Sequence, residues 1–229
     1  MNRFGPILLL LSVLTAFAQP VPKDFTATER DGLELAARLR SLQPAESVTN
    51  TAVLIIRSKT NTVEIPLRIE VFVSETNWTT RYIAFDTNCT TLDAFVFTRP
   101  VTPATAGGFK SFAGSDFWLA DLDMEFLHWP TQRLLKKEIR RGQSCDKLES
   151  LAPAGQTNGY VRVVSWFDID TGGPVICEAY DAAGKLIKEF KPNEFKKVDG
   201  QWQVEELEMR DLRTGSRSFI RFNLKPTAR

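Results

Sequence analysis

The chain has 229 residues, 43% of them hydrophobic, and a formal net charge of +1. A charge so close to zero gives the protein as a whole no electrostatic reason to bind nucleic acid or anionic lipid, and the length suits a single domain. Beyond the N-terminal region, no stretch of the sequence is long and apolar enough for a transmembrane helix, which needs about 20 residues.

The first eighteen residues have the composition of an export signal. Arg3 precedes an apolar run at 7–14, and an Ala-x-Ala pattern, which signal peptidase requires, lies directly before Gln19. We therefore predict that residues 1–18 are a cleaved signal peptide and that residues 19–229 form a single domain in the periplasm. Removing Arg3 brings the formal net charge to 0. An uncleaved interfacial anchor is the alternative interpretation.

A helix is predicted near the start of the mature chain, at residues 28–42. Apolar residues recur there at helical spacing, Thr28 and Asp31 resemble a capping box, and Pro44 follows the last turn. Three strands are predicted next, and the second alternates cleanly between apolar and polar residues. The predicted strands are residues 53–57, 66–73 and 78–85.

The middle of the chain is predicted to contain a loop and a second helix. Residues 97–114 are rich in proline, glycine and small polar residues, which favours a loop. Residues 115–128 are predicted to be helical, because Phe117, Leu122 and Phe126 would lie roughly on one side of a helix.

From residue 132 to the end, the pattern is that of a β-meander. Asp-Gly and Gly-Gly dipeptides separate β-rich runs, which is a strong signal for hairpins. The predicted strands are residues 134–141, 144–151, 160–169, 175–180, 185–191, 194–198, 201–209 and 217–224. So many antiparallel strands with so few helices have to close, form a sandwich or curl around something.

Three cysteines, Cys89, Cys145 and Cys177, lie in what should be an oxidising compartment. One disulfide with one leftover thiol is an option, but the sequence does not give the pairing. Cys145 and Cys177 are predicted to be two strands apart, about 9.5 Å, whereas a disulfide needs Cα atoms within about 7 Å. That pair would require a bulge or a contact across the barrel.

Several short motifs resemble the outer-membrane lipoprotein-sorting, or LolA-like, superfamily. Their order and spacing carry the resemblance, which covers most of the mature chain and is strongest over residues 112–224. In chain order, the motifs are Leu39-Arg40-Ser41 with Pro44, Ala113-Gly114-Ser115-Asp116-Phe117, Asp121-Leu122, Trp129-Pro130, Tyr160-Val161-Arg162-Val163, Trp166-Phe167-Asp168, Glu178-Ala179-Tyr180-Asp181, Gly184-Lys185-Leu186 and Gly200-Gln201-Trp202.

The resemblance implies an α+β fold, in which a strongly curved antiparallel sheet forms an incomplete β-barrel and helices cover its open concave face. Members of the superfamily carry lipoprotein acyl chains, or other hydrophobic ligands, between the two bacterial membranes, which implies partner proteins at the inner and outer membranes. The better-known carriers hold a closed lid with a strand-borne arginine. Neither Arg57 nor Arg68, both on early strands, matches that residue by motif.

A carrier of this kind needs a concave apolar surface, because burying each CH₂ group of an acyl chain gains about 0.8 kcal/mol. We predict that apolar residues of the early strands and of the second helix line a cavity and bind the ligand; an ordinary structural core is the alternative for each of them. The candidates are Leu54, Ile56, Leu67, Ile69, Val71, Val73, Phe117, Leu122 and Phe126.

No motif in the sequence indicates an enzyme, a metal site or a cofactor. His128 is the single histidine and lies in no catalytic motif, and the acidic residues at 116–125 lack the spacing of a Ca²⁺ loop. A basic cluster is either a docking surface or a solvated hairpin face; it consists of Lys136, Lys137, Arg140 and Arg141. The sequence thus predicts a non-catalytic carrier or chaperone, and the alternative is an envelope sensor or interaction module on the same fold.

Overall fold

The computed structural model describes residues 25–99 and 108–224, so the predicted signal peptide at 1–18 lies outside the described residues. One large antiparallel sheet dominates this part of the chain, accompanied by one long helix and two single turns of helix. The elements are α1 (Ala27–Arg40), β1 (Val48–Arg57), β2 (Thr62–Val73), β3 (Trp78–Phe85), β4 (Thr91–Arg99), α2 (Leu119–Leu122), a 3-10 helix (Glu125–His128), β5 (Thr131–Leu134), β6 (Glu138–Arg140), β7 (Gln143–Leu151), β8 (Arg162–Asp168), β9 (Pro174–Tyr180), β10 (Leu186–Val198), β11 (Gln201–Asp211) and β12 (Arg217–Phe222).

The strands follow one another across the sheet in the order β4-β3-β2-β1-β12-β11-β10-β9-β8-β7-β5, and β6 also pairs with β7. Each of the neighbouring pairs is antiparallel. The two edge strands, β4 and β5, do not pair, so the sheet is open. The fold class predicted from the sequence, an α+β protein with an unclosed antiparallel sheet, is confirmed.

Two ion pairs reveal how strongly the sheet is curved. β4 and β10 are six strand steps apart, which is about 29 Å in a flat sheet. Arg99 of β4 and Lys188 of β10 nevertheless bind Asp123 and Asp121, which are two residues apart in sequence. The sheet therefore curls, and residues 108–130, which we call the cover, lie across its concave face.

α1 begins with a capping box at Thr26. The Thr26 side chain accepts a hydrogen bond from the Glu29 backbone N–H, and the Glu29 carboxylate accepts one from the Thr26 N–H at 3.1 Å. This pair precedes the predicted Thr28–Asp31 box by two residues, so that detail of the prediction was wrong.

Two apolar cores lie between the sheet and the elements on its concave face. The first joins α1 and the C-terminal part of the cover to strands β7 to β10; it includes Leu35, Leu39, Phe126, Leu127, Trp129, Leu148, Tyr160, Val163, Phe167 and Ile187. The second joins the start of the cover to strands β1, β2, β3, β11 and β12; it includes Phe112, Phe117, Ala52, Leu54, Leu67, Ile69, Ala84, Met209 and Ile220. The cover therefore packs on both halves of the sheet.

The second helix predicted at 115–128 was wrong. Only two single turns of helix form there, and Met124 between them adopts a left-handed backbone with φ of 48°. The apolar spacing had a different cause, because Phe117 packs in the second core and Phe126 in the first. The residues that suggested one helical face serve two separate cores.

Three further predictions about the strands need correction. The strand predicted at 134–141 is divided between the end of β5 and β6, and residues 135–137 lie in neither strand. Phe97 to Arg99 belong to β4 rather than to the predicted loop at 97–114, and residues 100–107 lie outside the described part of the chain. The separate strands predicted at 185–191 and 194–198 are one strand, β10, in which the pairing register shifts between Pro192 and Phe195. A bulge here lets a single strand continue through proline.

The three cysteines are free thiols. Cys145 lies in β7 and Cys177 in β9, with β8 between them, so they are two strands apart as predicted. Burial raises the pKa of the Cys177 thiol to about 12, which keeps it protonated.

Among residues 25–99 and 108–224, no helix combines the length and the apolar composition needed to cross a bilayer.

Candidate functional site

A cavity of about 930 Å³ opens between the cover and the concave face of the sheet. Strands β10, β11 and β12 form its floor, the cover forms its roof, and the β8–β9 turn forms one side. Apolar side chains supply most of the wall. They are Phe117, Leu122, Met124, Pro174, Val175, Phe190, Pro192, Phe195, Trp202, Val204, Leu207, Phe222 and Leu224.

The mouth of the cavity lies at one end of the curled sheet. Gln143 begins β7, Asp168 ends β8 and Pro174 begins β9, and all three line the cavity. Because neighbouring strands are antiparallel, these strand ends meet at the same end of the sheet, beside the β10–β11 hairpin that carries Phe195 and Trp202.

The acidic residues in the wall are already bonded to other parts of the protein. Asp121 accepts hydrogen bonds from Lys188 Nζ at 2.5 Å, from Tyr160 Oη at 2.9 Å and from the Trp118 N–H at 2.8 Å. Asp168 accepts hydrogen bonds from the backbone and hydroxyl of Thr171. A ligand therefore meets a mostly apolar wall whose carboxylates are satisfied without it.

The ion pair between Lys188 of β10 and Asp121 attaches the cover to the sheet. The Lys188 side chain is 1% exposed, and its Nζ lies 3.7 Å from the centre of the Trp118 ring as well as beside Asp121. Burial lowers the pKa of Lys188, while Asp121 opposes that shift. Burial is also the main cause that raises the pKa of Tyr160 well above its ordinary value, so its hydroxyl remains a donor to Asp121.

Arg99 fixes the cover from the opposite half of the sheet. Its Nε donates to Asp123 Oδ1 at 3.0 Å, and its guanidinium also donates to the Asp123 carbonyl oxygen. Burial raises the pKa of Asp123, and Arg99 counteracts that effect. Arg99 is thus a buried, strand-borne arginine that holds a segment lying over the cavity, a role that neither Arg57 nor Arg68 fills.

His128 lies close to this ion pair. Burial, together with repulsion from Arg40 and Arg99, lowers the pKa of His128 to about 4. The neutral imidazole leaves Nε2 buried without a hydrogen-bond partner among the described residues. Across residues 25–99 and 108–224, no three His, Cys, Asp or Glu side chains converge as metal ligands would.

The residues predicted to line the cavity are distributed over three settings. Phe117 and Leu122 line it. Leu54, Leu67 and Ile69 are buried in the second core with Ile56 packed against them, and Phe126 is buried in the first. Val71 and Val73 are half-buried near the end of β2. A ligand-binding role for this set remains a prediction.

Sequence reasoning missed the floor of the cavity, which β10, β11 and β12 provide. Phe190 and Pro192 of β10 alternate with polar residues, and Leu207 lies opposite Pro192 in the ladder. That alternation is visible in the sequence. The sequence alone could not show which of these residues face the concave side of the sheet. The bulge at 192–195 exchanges the concave and convex faces for the residues that follow it.

The fold, with its covered apolar cavity, resembles that of LolA-like proteins, and several solved structures share it. The crystal structure of a proposed outer membrane lipoprotein-sorting protein domain from Vibrio parahaemolyticus matches with a TM-score of 0.67 at 19% identity, over 86% of this chain and 92% of that one. A LolA superfamily protein from Nitrosomonas europaea matches with a TM-score of 0.60 at 16% identity, over 89% and 96%. A DUF1329 family protein from Desulfovibrio piger matches with a TM-score of 0.65 at 20% identity, over 86% and 92%.

Residues 97–224, more than half of the chain, match a family model whose description reads "Uncharacterized protein". The chain belongs to this family. A comparison with curated proteins gives no match. The resemblance to the LolA-like superfamily that the motifs predicted is confirmed at the level of the fold.

Proposed function

We propose that this protein is a periplasmic carrier or chaperone that holds the acyl chain of a lipoprotein, or another hydrophobic ligand, in the cavity beneath the cover. The observation that carries the proposal is the open apolar cavity of about 930 Å³. Its size falls within the roughly 300–1,000 Å³ typical of ligand sites. A core packed to completion would leave no such space.

The character of the wall suits reversible binding. Each CH₂ group moved from water into the cavity gains about 0.8 kcal/mol, so a long chain binds tightly without any directional contact. Asp121 and Asp168 are occupied by protein donors and make no demand on the ligand. Affinity then depends on buried length rather than on headgroup chemistry, and no bond has to be formed or broken for release.

The same proposal includes export to the periplasm and partner proteins at the two membranes. Residues 1–18 act as the signal peptide, residues 19–229 form one carrier domain, and inner- and outer-membrane proteins deliver and accept the ligand. The fold shared with the proposed lipoprotein-sorting domain from Vibrio parahaemolyticus supports this assignment. The proposal involves no catalytic step, cofactor or metal.

A cavity-filling substitution tests the proposal. Val204 lines the cavity, is half-buried and belongs to neither core. Val204→Trp should reduce the affinity for a fluorescent fatty-acid analogue several-fold by occupying space. Val63→Trp is the matched control, because Val63 is exposed at the start of β2, at the opposite end of the sheet.

Native mass spectrometry of the protein purified from its own envelope gives an independent readout. Co-purifying lipid that is lost in Val204→Trp supports the carrier. A lipid-free protein that binds no fatty-acid analogue and holds a tight protein partner would instead support the sensor or interaction module.

A further inference from the structure

An exposed apolar hairpin borders the mouth of the cavity. In the β10–β11 hairpin, Trp202 is 71% exposed and Phe195 is 53% exposed, although both also line the cavity. Trp202 lies opposite Lys197 in the ladder, and Phe195 lies opposite Val204. The apolar wall of the cavity thus continues outward onto the surface of the protein.

Trp202 differs from the other tryptophans of the chain. Trp78, Trp129 and Trp166 are buried, and Trp118 is half-buried. A large aromatic side chain that is exposed to water beside a cavity mouth is typical of a surface that binds another protein or a membrane.

A second hairpin, β6–β7, lies next to the same mouth. Its Ile139 is 75% exposed, and Arg141 in its turn donates a hydrogen bond of 2.8 Å to the carbonyl oxygen of Pro192, a cavity-lining residue. We call Ile139, Phe195 and Trp202 the rim. All three residues belong to the two hairpins, β6–β7 and β10–β11, at the end of the sheet where the cavity opens.

The charge around Ile139 is cationic, although the whole chain is nearly neutral. Lys136, Lys137, Arg140 and Arg141 flank it, and Glu138 between them binds Lys147 and Trp166. Lys137 pairs with Asp146 and Arg140 with Glu178, so Lys136 and Arg141 are the two flanking cations that have no acidic partner among the described residues. Arg141 donates to the backbone carbonyls of Val175 and Pro192 and has no carboxylate partner in the part of the chain that the structure describes. On the other hairpin, Lys196 pairs with Glu205, and Lys197 and Asp199 carry opposite charges between Phe195 and Trp202. This hairpin therefore contributes apolar side chains rather than net positive charge.

We propose that the rim docks the protein onto the surface of an anionic lipid bilayer. Trp202, Phe195 and Ile139 enter the interfacial region, where tryptophan is enriched, and Lys136 and Arg141 contact lipid phosphates. This rests on the proposed function, because docking by the rim brings the cavity mouth against the layer in which acyl chains lie. A protein partner would not by itself require an aromatic and cationic surface that is continuous with the cavity.

Tryptophan fluorescence of the purified protein provides the test. Adding phosphatidylcholine vesicles that contain phosphatidylglycerol should shift the emission to shorter wavelength, since Trp202 leaves water while the buried tryptophans do not change. The shift should disappear in Trp202→Gln, and co-sedimentation with the vesicles should fall several-fold in Phe195→Gln. Leu92→Gln is the matched control, because Leu92 is 54% exposed at the start of β4, away from the mouth.

Two variants separate this proposal from the carrier proposal. Ile139 does not line the cavity, so Ile139→Gln should weaken vesicle binding and leave fatty-acid binding intact. Val204→Trp should weaken fatty-acid binding and leave vesicle binding intact. Vesicle binding that persists in the Ile139→Gln/Phe195→Gln/Trp202→Gln variant, equal binding to pure phosphatidylcholine, or a rim that binds only a protein would overturn the docking.

Discussion

Arg99 and Asp123 form a buried ion pair that joins the last residue of β4 to the cover. The two side chains are 7% and 1% exposed, and Arg99 also binds the backbone of Asp123. The hydrogen bonding of the carboxylate is incomplete, because Asp123 Oδ2 has no hydrogen-bond partner in the described part of the chain. This pair holds the cover in place at a cost in desolvation, so its loss has consequences for both stability and access to the cavity.

Replacing one partner should be costly. Arg99→Met leaves the Asp123 carboxylate buried without its counter-ion, and we expect the free energy of unfolding to fall by about 3–5 kcal/mol. The double variant Arg99→Met/Asp123→Leu should recover much of that loss, because it buries no unpaired charge. Urea denaturation measures both. Equal losses in the single and double variants would contradict the assignment.

Loss of Arg99 should also loosen the cover. Binding of an apolar fluorescent dye to the folded Arg99→Met/Asp123→Leu protein should be faster than to the original protein, because the ion pair that attaches the cover to β4 has gone. Stopped-flow mixing with the dye gives the rate. An unchanged rate would mean that the cover does not limit entry.

Lys188→Met should destabilise the protein by about 2–4 kcal/mol, because Asp121 then loses its cation inside the protein. Tyr160 and the Trp118 N–H remain as donors and limit the loss. Lys191→Met is the control on the same strand. The Lys191 side chain is 23% exposed and pairs with Glu189 and Glu208, so its loss should cost about 1 kcal/mol or less. Chemical denaturation compares the two.

Gly32→Ala should destabilise the protein although alanine is the better helix former. A Cβ atom at this position would lie 2.6 Å from the backbone carbonyl of Gln132. Gln132 cannot easily move, because its buried side chain binds Phe126, Trp129 and Ser150. Overpacking of about 1–3 kcal/mol should outweigh a propensity gain of at most about 1 kcal/mol. In thermal unfolding, Glu34→Ala on the exposed face of α1 should change little.

The lowered pKa of His128 makes stability depend on pH. In the unfolded chain the imidazole takes up a proton near pH 6.5, but in the native state only near pH 4. Unfolding therefore binds a proton between these values, and stability falls as the pH is lowered through this window, at a limiting slope of about 1.4 kcal/mol per pH unit.

The difference between the original protein and His128→Gln isolates this effect. Burial raises the pKa of both Asp123 and Glu125, so those carboxyls contribute with the opposite sign in both proteins. The stability difference should be constant above pH 7 and shift towards the variant between about pH 6.5 and 4. A difference that does not change with pH would contradict the buried, neutral imidazole.

Most of the sheet could be predicted from sequence because its turns require particular residues. Gly184, Gly200 and Gly215 adopt positive φ angles between strands, as the turn dipeptides indicated. β10 was divided in two because Pro192 normally ends a strand, and only the register shift in the structure shows how the strand continues.

The cover was the least predictable part, because the positions of its apolar residues are determined by tertiary packing rather than by a local helical pattern. Phe117 and Phe126 have the spacing of a helix but pack into different cores. Arg99 gave no motif, since its importance comes from a partner 24 residues away across the concave face. The space left between cover and sheet depends on the sum of side-chain positions, which a linear pattern does not contain.

The unpaired edges of the sheet have a consequence for the proposed carrier function. Because β4 and β5 share no hydrogen bonds, the two wings can move apart or together without breaking any ladder between strands. The width of the interior is then limited by the side-chain contacts of the cover rather than by backbone hydrogen bonds. Under the proposed carrier function, a sheet of this kind would accept hydrocarbon chains of different widths, whereas a closed barrel would fix one width for all of them.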